Sequence, residues 1–233
     1  MLAGGFGTRL LDAVSDVPKA MAPINGVPLL KLQLDNWIHQ GQKSFLFLLH
    51  HKADSIISLL EEQKRAYGAT INIDWIVEKR ALGTGGSVAN AVQSRNLSGS
   101  VLVANADTWL EFGLELITSE HRPVVGVVKV RDQSRYGCVD FDSQGCVIKF
   151  IEKSRKQGFE LAGIINAGIY KLPVDVFKEK AGEVFSLELE VLPSLVKRKK
   201  LAAIELSSVF FDIGVPADYY EFCDWHKNKR FKG

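Results

Sequence analysis

The sequence predicts an α/β fold built on a doubly wound, mixed sheet with helices on both faces. Three observations carry that reading. Between residues 44 and 104 the hydrophobic pattern alternates in the order strand, helix, strand, helix, strand, which suits parallel strands joined by helical crossovers. Two of the strands, Ser44 to Leu49 and Val101 to Ala104, are continuous apolar runs, as strands buried on both faces would be. The chain also opens on three glycines, Gly4, Gly5 and Gly7, before its first helical pattern.

The elements follow in order. Residues 28–40 read as a helix with Leu29, Leu30, Leu32, Leu34, Trp37 and Ile38 on a broad apolar face. After the strand at 44–49, residues 54–66 read as a helix capped by Asp54 or Ser55. Ile71 to Val77 is a strand, 84–96 a helix and 101–104 a strand. The second half is richer in strands, at 124–130, 139–141, 147–151 and 164–172, with turns at Tyr136-Gly137 and Ser143-Gln-Gly145. Residues 174–180 and 186–198 read as helical, 201–206 as extended and 216–228 as a helix opened by Pro216. No linker, repeat or low-complexity segment interrupts the pattern, so residues 1–233 are expected to form one domain, its strand-rich half an extension of the same sheet.

Composition narrows the functional classes. The hydrophobic fraction of 46% and charged fraction of 24% are those of an ordinary globular protein. A net charge of +2 makes no electrostatic case for nucleic acid. The basic run Lys197-Arg-Lys-Lys200 reads as a solvated helix end. No apolar stretch reaches the roughly 18 residues needed to span a bilayer, and no secretory leader is expected. Cys138, Cys146 and Cys223 show neither metal spacing nor a disulfide framework, which points to a reducing cytoplasm. The five histidines, His50-His51 among them, assemble into no catalytic constellation.

The opening segment Leu2-Ala-Gly-Gly-Phe-Gly-Thr-Arg-Leu10 suits an anion. Gly4, Gly5, Gly7 and Thr8 let backbone N–H groups converge on a phosphate, Arg9 adds a fork of donors and Lys19 a mobile point charge. It is neither a P-loop, lacking Gly-Lys-Ser/Thr, nor a dinucleotide fingerprint, lacking the glycine spacing. The competing reading is a plain glycine-rich turn with solvated cations. Asp107, in Asn105-Ala-Asp-Thr108, follows a buried strand, where open α/β sheets bind ligands. A carboxylate there suits Mg²⁺ or caps a turn. Asp212 follows the apolar run Val209-Phe-Phe, and Asp218 sits in the first turn of the last helix, a place that favours negative charge. Glu78 and Gly83-Thr84-Gly85-Gly86 stand at a strand-to-helix junction, suited to close approach of a flat base or to a helix cap.

These residues resemble the sugar nucleotidyltransferases, whose opening runs L-A-G-G-x-G-T-R-L and then P-K-P-M. Ala20 replaces the second proline, and only Met1 and Leu2 precede Ala3, so the first strand is expected to be very short or its start truncated. The stretch Asp212-Ile-Gly-Val-Pro-Ala-Asp-Tyr219 resembles D-I-G-T-P-x-D-Y, and Ala106 stands where the family commonly has glycine before its metal aspartate. Gly83-Thr-Gly-Gly86 resembles L-G-T-G/A-G, with Arg80-Ala81 departing from the usual lead-in. Tyr136-Gly137, Glu152-Lys153, Asn166-Ala-Gly168 and Ser186-Leu-Glu188 match Y-G-x-V, E-K, N-A-G-I-Y and S-L-E in family order.

The resemblance implies a Rossmann-like, glycosyltransferase-A-like fold with a nucleotide-binding half near 1–122 and a sugar-phosphate-binding half near 123–233. It implies Arg9 and Lys19 as catalytic residues and Asp107 and Asp212 as ligands to Mg²⁺. Leu2, Ala3, Gly4, Gly5, Gly7, Thr8, Glu78, Gly83, Thr84 and Gly85 would meet the nucleotide. Tyr136, Gly137, Glu152, Lys153, Asn166, Gly168 and Glu188 would meet the sugar phosphate. Within the family the chain looks most like the D-glycero-D-manno-heptose 1-phosphate guanylyltransferases, which use GTP. A uridylyltransferase for a hexose or N-acetylated amino-sugar 1-phosphate, and a non-catalytic nucleotide-sugar sensor, are the alternatives. The expected partners are a nucleoside triphosphate and a sugar 1-phosphate, not nucleic acid or membrane, with a homodimer left open.

Overall fold

The computed structural model describes residues 1–5, 10, 14, 17–152 and 162–230. In chain order the elements are β1 (Pro23–Ile24), β2 (Val27–Pro28), α1 (Leu29–His39), β3 (Ser44–Leu49), α2 (Ala53–Tyr67), β4 (Asn72–Val77), α3 (Gly83–Ser94), β5 (Ser100–Ala104), β6 (Thr108–Leu110) and α4 (Leu114–Ser119). There follow β7 (Val124–Val130), β8 (Cys138–Phe141), β9 (Val147–Ile151), β10 (Gly163–Pro173), α5 (Leu192–Lys197), β11 (Ala202–Glu205), β12 (Phe210–Asp212) and α6 (Pro216–Arg230). They form a mixed α/β fold in two compact units.

One unit joins Met1–Arg80, Asn105–Glu111 and Val209–Gly233. Its parallel pair β3–β4 runs in register from Ser44 opposite Asn72 to Leu49 opposite Val77. The very short first strand is a single residue: Leu2 bridges in parallel to Leu48 on one side and to Asn105 on the other. Asn25 and Gly26, both at positive φ, turn β1 into β2, as a two-residue Asn-Gly hairpin requires. The antiparallel ribbon β6–β12 pairs Thr108 with Asp212 and Leu110 with Phe210. Trp109, Phe222, Tyr219, Ile213, Leu29 and Leu10 form the buried cluster beneath it. The other edge of β6 is satisfied by polar side chains of α1 and of Gln40, the residue that follows it. Gln33 donates to the Thr108 carbonyl, Asn36 to Leu110 at 2.8 Å and Gln40 to Glu111 at 3.1 Å. Buried backbone acceptors require such partners.

The other unit, Ala81–Ala104 and Phe112–Ser208, carries a mixed sheet in the order β11-β7-β10-β8-β9, with β5 on β10. β11 pairs with β7 in parallel, and the remaining pairs are antiparallel. β5 thus ends the strand–helix alternation on an antiparallel partner. β10 shifts register between Asn166 and Tyr170, where Gly168 takes φ +70°. The stretch expected as one helix at 186–198 splits into a wide turn over Leu187–Val191 and α5, and that at 174–180 is a single tight turn over Val174–Phe177. β6, α4 and the β1–β2 hairpin stand outside the sequence expectations. No helix among the described residues is long and apolar enough to cross a membrane.

Candidate active site

In the first unit the chain returns three times to one place. Ala3 N–H donates to the Leu48 carbonyl at 2.9 Å, and Ala106 N–H to the Leu2 carbonyl at 3.0 Å. Leu2 and Ala3 therefore enter the glycine segment wedged between the end of β3 and the lead-in to Asp107. Gly4 is tight: a Cβ there would lie 3.1 Å from the His50 Cβ. Leu10, only 2% exposed, roots the far side of the segment in the aromatic cluster. Gly7, Thr8 and Arg9 lie outside the described residues, as does Lys153.

Lys19 opens a tight turn after Pro18, with Met21 N–H donating to the Pro18 carbonyl at 2.8 Å. Its Nζ reaches the Asp107 Oδ2 at 3.2 Å. Asp107 precedes β6, and its carbonyl accepts the Ile213 N–H at 2.8 Å, so the antiparallel register sets Asp107 and Asp212 at one end of the ribbon. Asp212 is the last residue of β12 and pairs with Thr108, so the strand built from the apolar run before it ends on this carboxylate. A Cβ on Gly214 would lie 2.8 Å from the Asp212 Oδ1, so glycine clears the space that carboxylate occupies. Among the described residues no group of three or more histidine, cysteine, aspartate or glutamate side chains could hold a metal. Two hard carboxylates fit Mg²⁺, which commonly takes one or two from the protein and the rest of its shell from water and phosphate.

Glu78 follows β4 and is buried at 8% exposure, not turned to solvent. Its N–H donates to the Leu49 carbonyl, and its own carbonyl lies 3.0 Å from the His50 Nδ1. A carbonyl only accepts, so that bond puts the ring proton on Nδ1. Sequence reasoning set His50 aside. Its one signal is position, directly after a buried strand.

In the second unit, Gly83, Gly85 and Gly86 admit their own chain. Added Cβ atoms would lie 2.6 Å from the Phe185 carbonyl oxygen, 2.3 Å from the Phe185 ring and 2.2 Å from the Glu183 carbonyl oxygen, respectively. The N–H groups of Gly85 and Gly86 donate to the Phe185 carbonyl at 3.0 and 3.2 Å. Thr84 does not cap its helix. Its hydroxyl donates to the Glu188 Oε2 at 2.6 Å.

The sugar-side motifs meet through sheet register. Cys138 on β8 is opposite Ile151 on β9 and Ile165 on β10, so the next residues, Gly137, Glu152 and Asn166, fall in one row. Asn166 N–H donates to the Gly137 carbonyl at 2.9 Å, and a Cβ on Gly137 would lie 3.1 Å from the Glu152 Oε2. Tyr136 sits in the preceding turn with the Arg135 guanidinium 5.4 Å over its ring. The Asn166 Oδ1 accepts the Gly168 N–H at 2.9 Å, and its Nδ2 donates to the Tyr170 hydroxyl at 2.7 Å. That hydroxyl donates to the Glu188 Oε1 at 3.3 Å. Burial, then the Glu188 charge, hold the Tyr170 pKa well above its usual value, so the phenol keeps its proton. Glu188 is half-buried under donors from Thr84, Ser186 and Tyr170.

Residues 1–227 match the nucleotidyl transferase family model. The chain belongs to that family. It is a nucleotidyltransferase enzyme. The D-glycero-alpha-D-manno-heptose 1-phosphate guanylyltransferase of Campylobacter jejuni is 36% identical over 224 residues, covering 95% of this chain and 96% of that protein. The mannose-1-phosphate guanylyltransferase catalytic subunit beta of Drosophila pseudoobscura is 29% identical, and the match covers only 59% of its length. The crystal structure of HddC from Yersinia pseudotuberculosis superposes with a TM-score of 0.82 at 34% identity, covering 97% of both chains; a second HddC structure contains GMP-PN. A UDP-glucose pyrophosphorylase complexed with UDP-glucose shares the fold, with a TM-score of 0.78 at 18% identity.

Proposed function

We propose that this nucleotidyltransferase joins GTP to D-glycero-D-manno-heptose 1-phosphate, releasing pyrophosphate and forming a GDP-sugar. The observation that carries the reading is the match, at 36% identity over 95% of this chain and 96% of that protein, to a heptose 1-phosphate guanylyltransferase. The HddC structure with GMP-PN supports the guanine choice.

An oxygen of the sugar phosphate attacks the α-phosphorus of GTP, one P–O bond forms, and the bond to the pyrophosphate breaks. That oxygen is already anionic, so no general base is needed. The protein's task is positioning and charge stabilisation. Arg9 and the N–H groups of the opening glycine segment neutralise the departing pyrophosphate. Lys19, held beside Asp107, presents its ammonium to the α-phosphate and the incoming phosphate. Asp107 and Asp212 would hold Mg²⁺, which when bound supplies further neutralisation of phosphate charge. Leu2, Ala3, Gly4, Gly5 and Glu78 would serve the nucleotide, as would Gly83 and Gly85. Tyr136, Gly137, Glu152, Lys153, Asn166, Gly168 and Glu188 would bind the sugar phosphate. Sites that hydrogen-bond a hydroxyl reject analogues lacking it strongly. The proposed setting is the cytoplasm, where the three thiols stay reduced.

The test is pyrophosphate release over a grid of four triphosphates and several sugar 1-phosphates. The reading expects GTP with the heptose phosphate to give the highest kcat/KM. Comparable efficiency with UTP and GTP overturns the guanylyl assignment and returns the uridylyl alternative.

A further inference from the structure

We infer that Thr84 is a positioning residue for the sugar-phosphate site, acting through Glu188 and Tyr170 on the amide of Asn166. The inference rests on the proposed assignment of Asn166 and Glu188 to the sugar. It departs from the motif resemblance, which places Thr84 with the nucleotide.

Proton counting carries it. Thr84, Ser186 and Tyr170 have one hydroxyl proton each, and all three face the single carboxylate of Glu188, at 2.6, 2.8 and 3.3 Å. The two oxygens of that carboxylate have lone pairs enough to accept all three. With its proton committed, the Tyr170 oxygen accepts from the Asn166 Nδ2 at 2.7 Å. The Gly168 N–H takes the Asn166 Oδ1 at 2.9 Å, so neither end of the amide can flip without losing a bond. Tyr170 is fully buried in the sheet and anchors the chain of bonds.

Thr84 has a second task. Its oxygen accepts the Leu187 N–H at 2.9 Å, while Ser186 accepts the N–H groups of Glu188 and Leu189. The first turn of α3 thereby grips the 186–189 segment from outside it. Ser186 lies within that segment and cannot supply that grip. Ordered networks of this kind fix orientation more than they add stability.

The test compares T84V, T84S and Y170F in the full chain. Valine keeps the shape of threonine and removes the hydroxyl; serine keeps the hydroxyl. T84V is expected to raise the KM for the sugar 1-phosphate about tenfold, the worth of one hydrogen bond to a charged group. The KM for GTP should change less than about twofold, within the spread of surface effects. T84S should behave as the unmodified protein, and Y170F as T84V. A second readout needs no turnover: the side-chain amide signal of Asn166 in a ¹H–¹⁵N spectrum, identified by its loss in N166D. It should shift and exchange faster with solvent in T84V and Y170F, and stay in place in T84S. An unchanged Asn166 signal in T84V overturns the inference, as does a GTP KM that moves as far as the sugar-phosphate KM. Failure of the unmodified protein to release pyrophosphate with any substrate pair sinks the functional reading instead, and the amide signal then decides the network alone.

Discussion

Lys19 and Asp107 form an ion pair at 3.2 Å in which the lysine side chain is 14% exposed and the aspartate 33%. A pair so placed is worth little as a staple, because both charges retain some water and salt screens them. Its value lies in holding an ammonium at a defined spot. Lys19→Ala should therefore lower kcat by about 10²–10³ while leaving the fold intact, as loss of one preorganised charge donor does elsewhere. Steady-state pyrophosphate release with a circular-dichroism control checks this, and near-normal turnover in a folded variant removes Lys19 from the mechanism. Gly214 offers a second test. Its added methyl would press on the Asp212 carboxylate, so Gly214→Ala should raise the Mg²⁺ concentration for half-maximal activity at least about tenfold, a supporting-shell effect. The same Mg²⁺ dependence in both proteins would show that the Asp212 carboxylate binds no metal.

At the scale of elements, α3 and α1 show why residue types sit where they do. Gly86 abuts the Glu183 carbonyl, a backbone atom that cannot swing aside. Gly86→Ala should cost about 1–3 kcal/mol of stability through overpacking, read as a lowered Tm. An unshifted Tm with weakened GTP binding would instead favour the base-contact role that the motif suggests. On α1, Asn36→Leu should cost about 1–3 kcal/mol, because the Leu110 carbonyl loses its donor. Urea denaturation would show it as a lower midpoint. Elements with a clear period were legible from the amino-acid sequence: β3 matches residue for residue, and α2 extends one residue beyond its expected range at each end. β6 and β12, three residues each, carry no period, and only their pairing across about a hundred positions gives them form. The polar stripe Gln33, Asn36, Gln40 was equally silent, since its meaning lies in acceptors far along the chain. In the candidate site, the Asp107 and Asp212 motifs were readable. The Thr84–Glu188 bond, across 104 positions, was not.

For the whole molecule, substrate binding should register as stability. With GTP at about 100 times its Kd, unfolding free energy should rise by about 2.7 kcal/mol, provided only the folded chain binds. Differential scanning calorimetry with and without Mg²⁺ would measure it, and no shift on adding GTP would mean that the folded chain does not hold the nucleotide. A chelator should abolish turnover and added Mg²⁺ restore it; activity that survives chelation excludes the ion from the reaction.

The first unit is stitched from Met1–Arg80, Asn105–Glu111 and Val209–Gly233. During synthesis its opening segment leaves the ribosome long before the strand that completes the Asp107–Asp212 ribbon. Contacts between segments so distant in sequence form late, because the intervening chain must first be closed into a loop. The first unit therefore waits, partly unmade, while more than a hundred further residues are translated. Nascent chains arrested before Val209 should expose the partners of Phe211 and Phe222 and recruit chaperones, and proteolysis of stalled chains would reveal that interval.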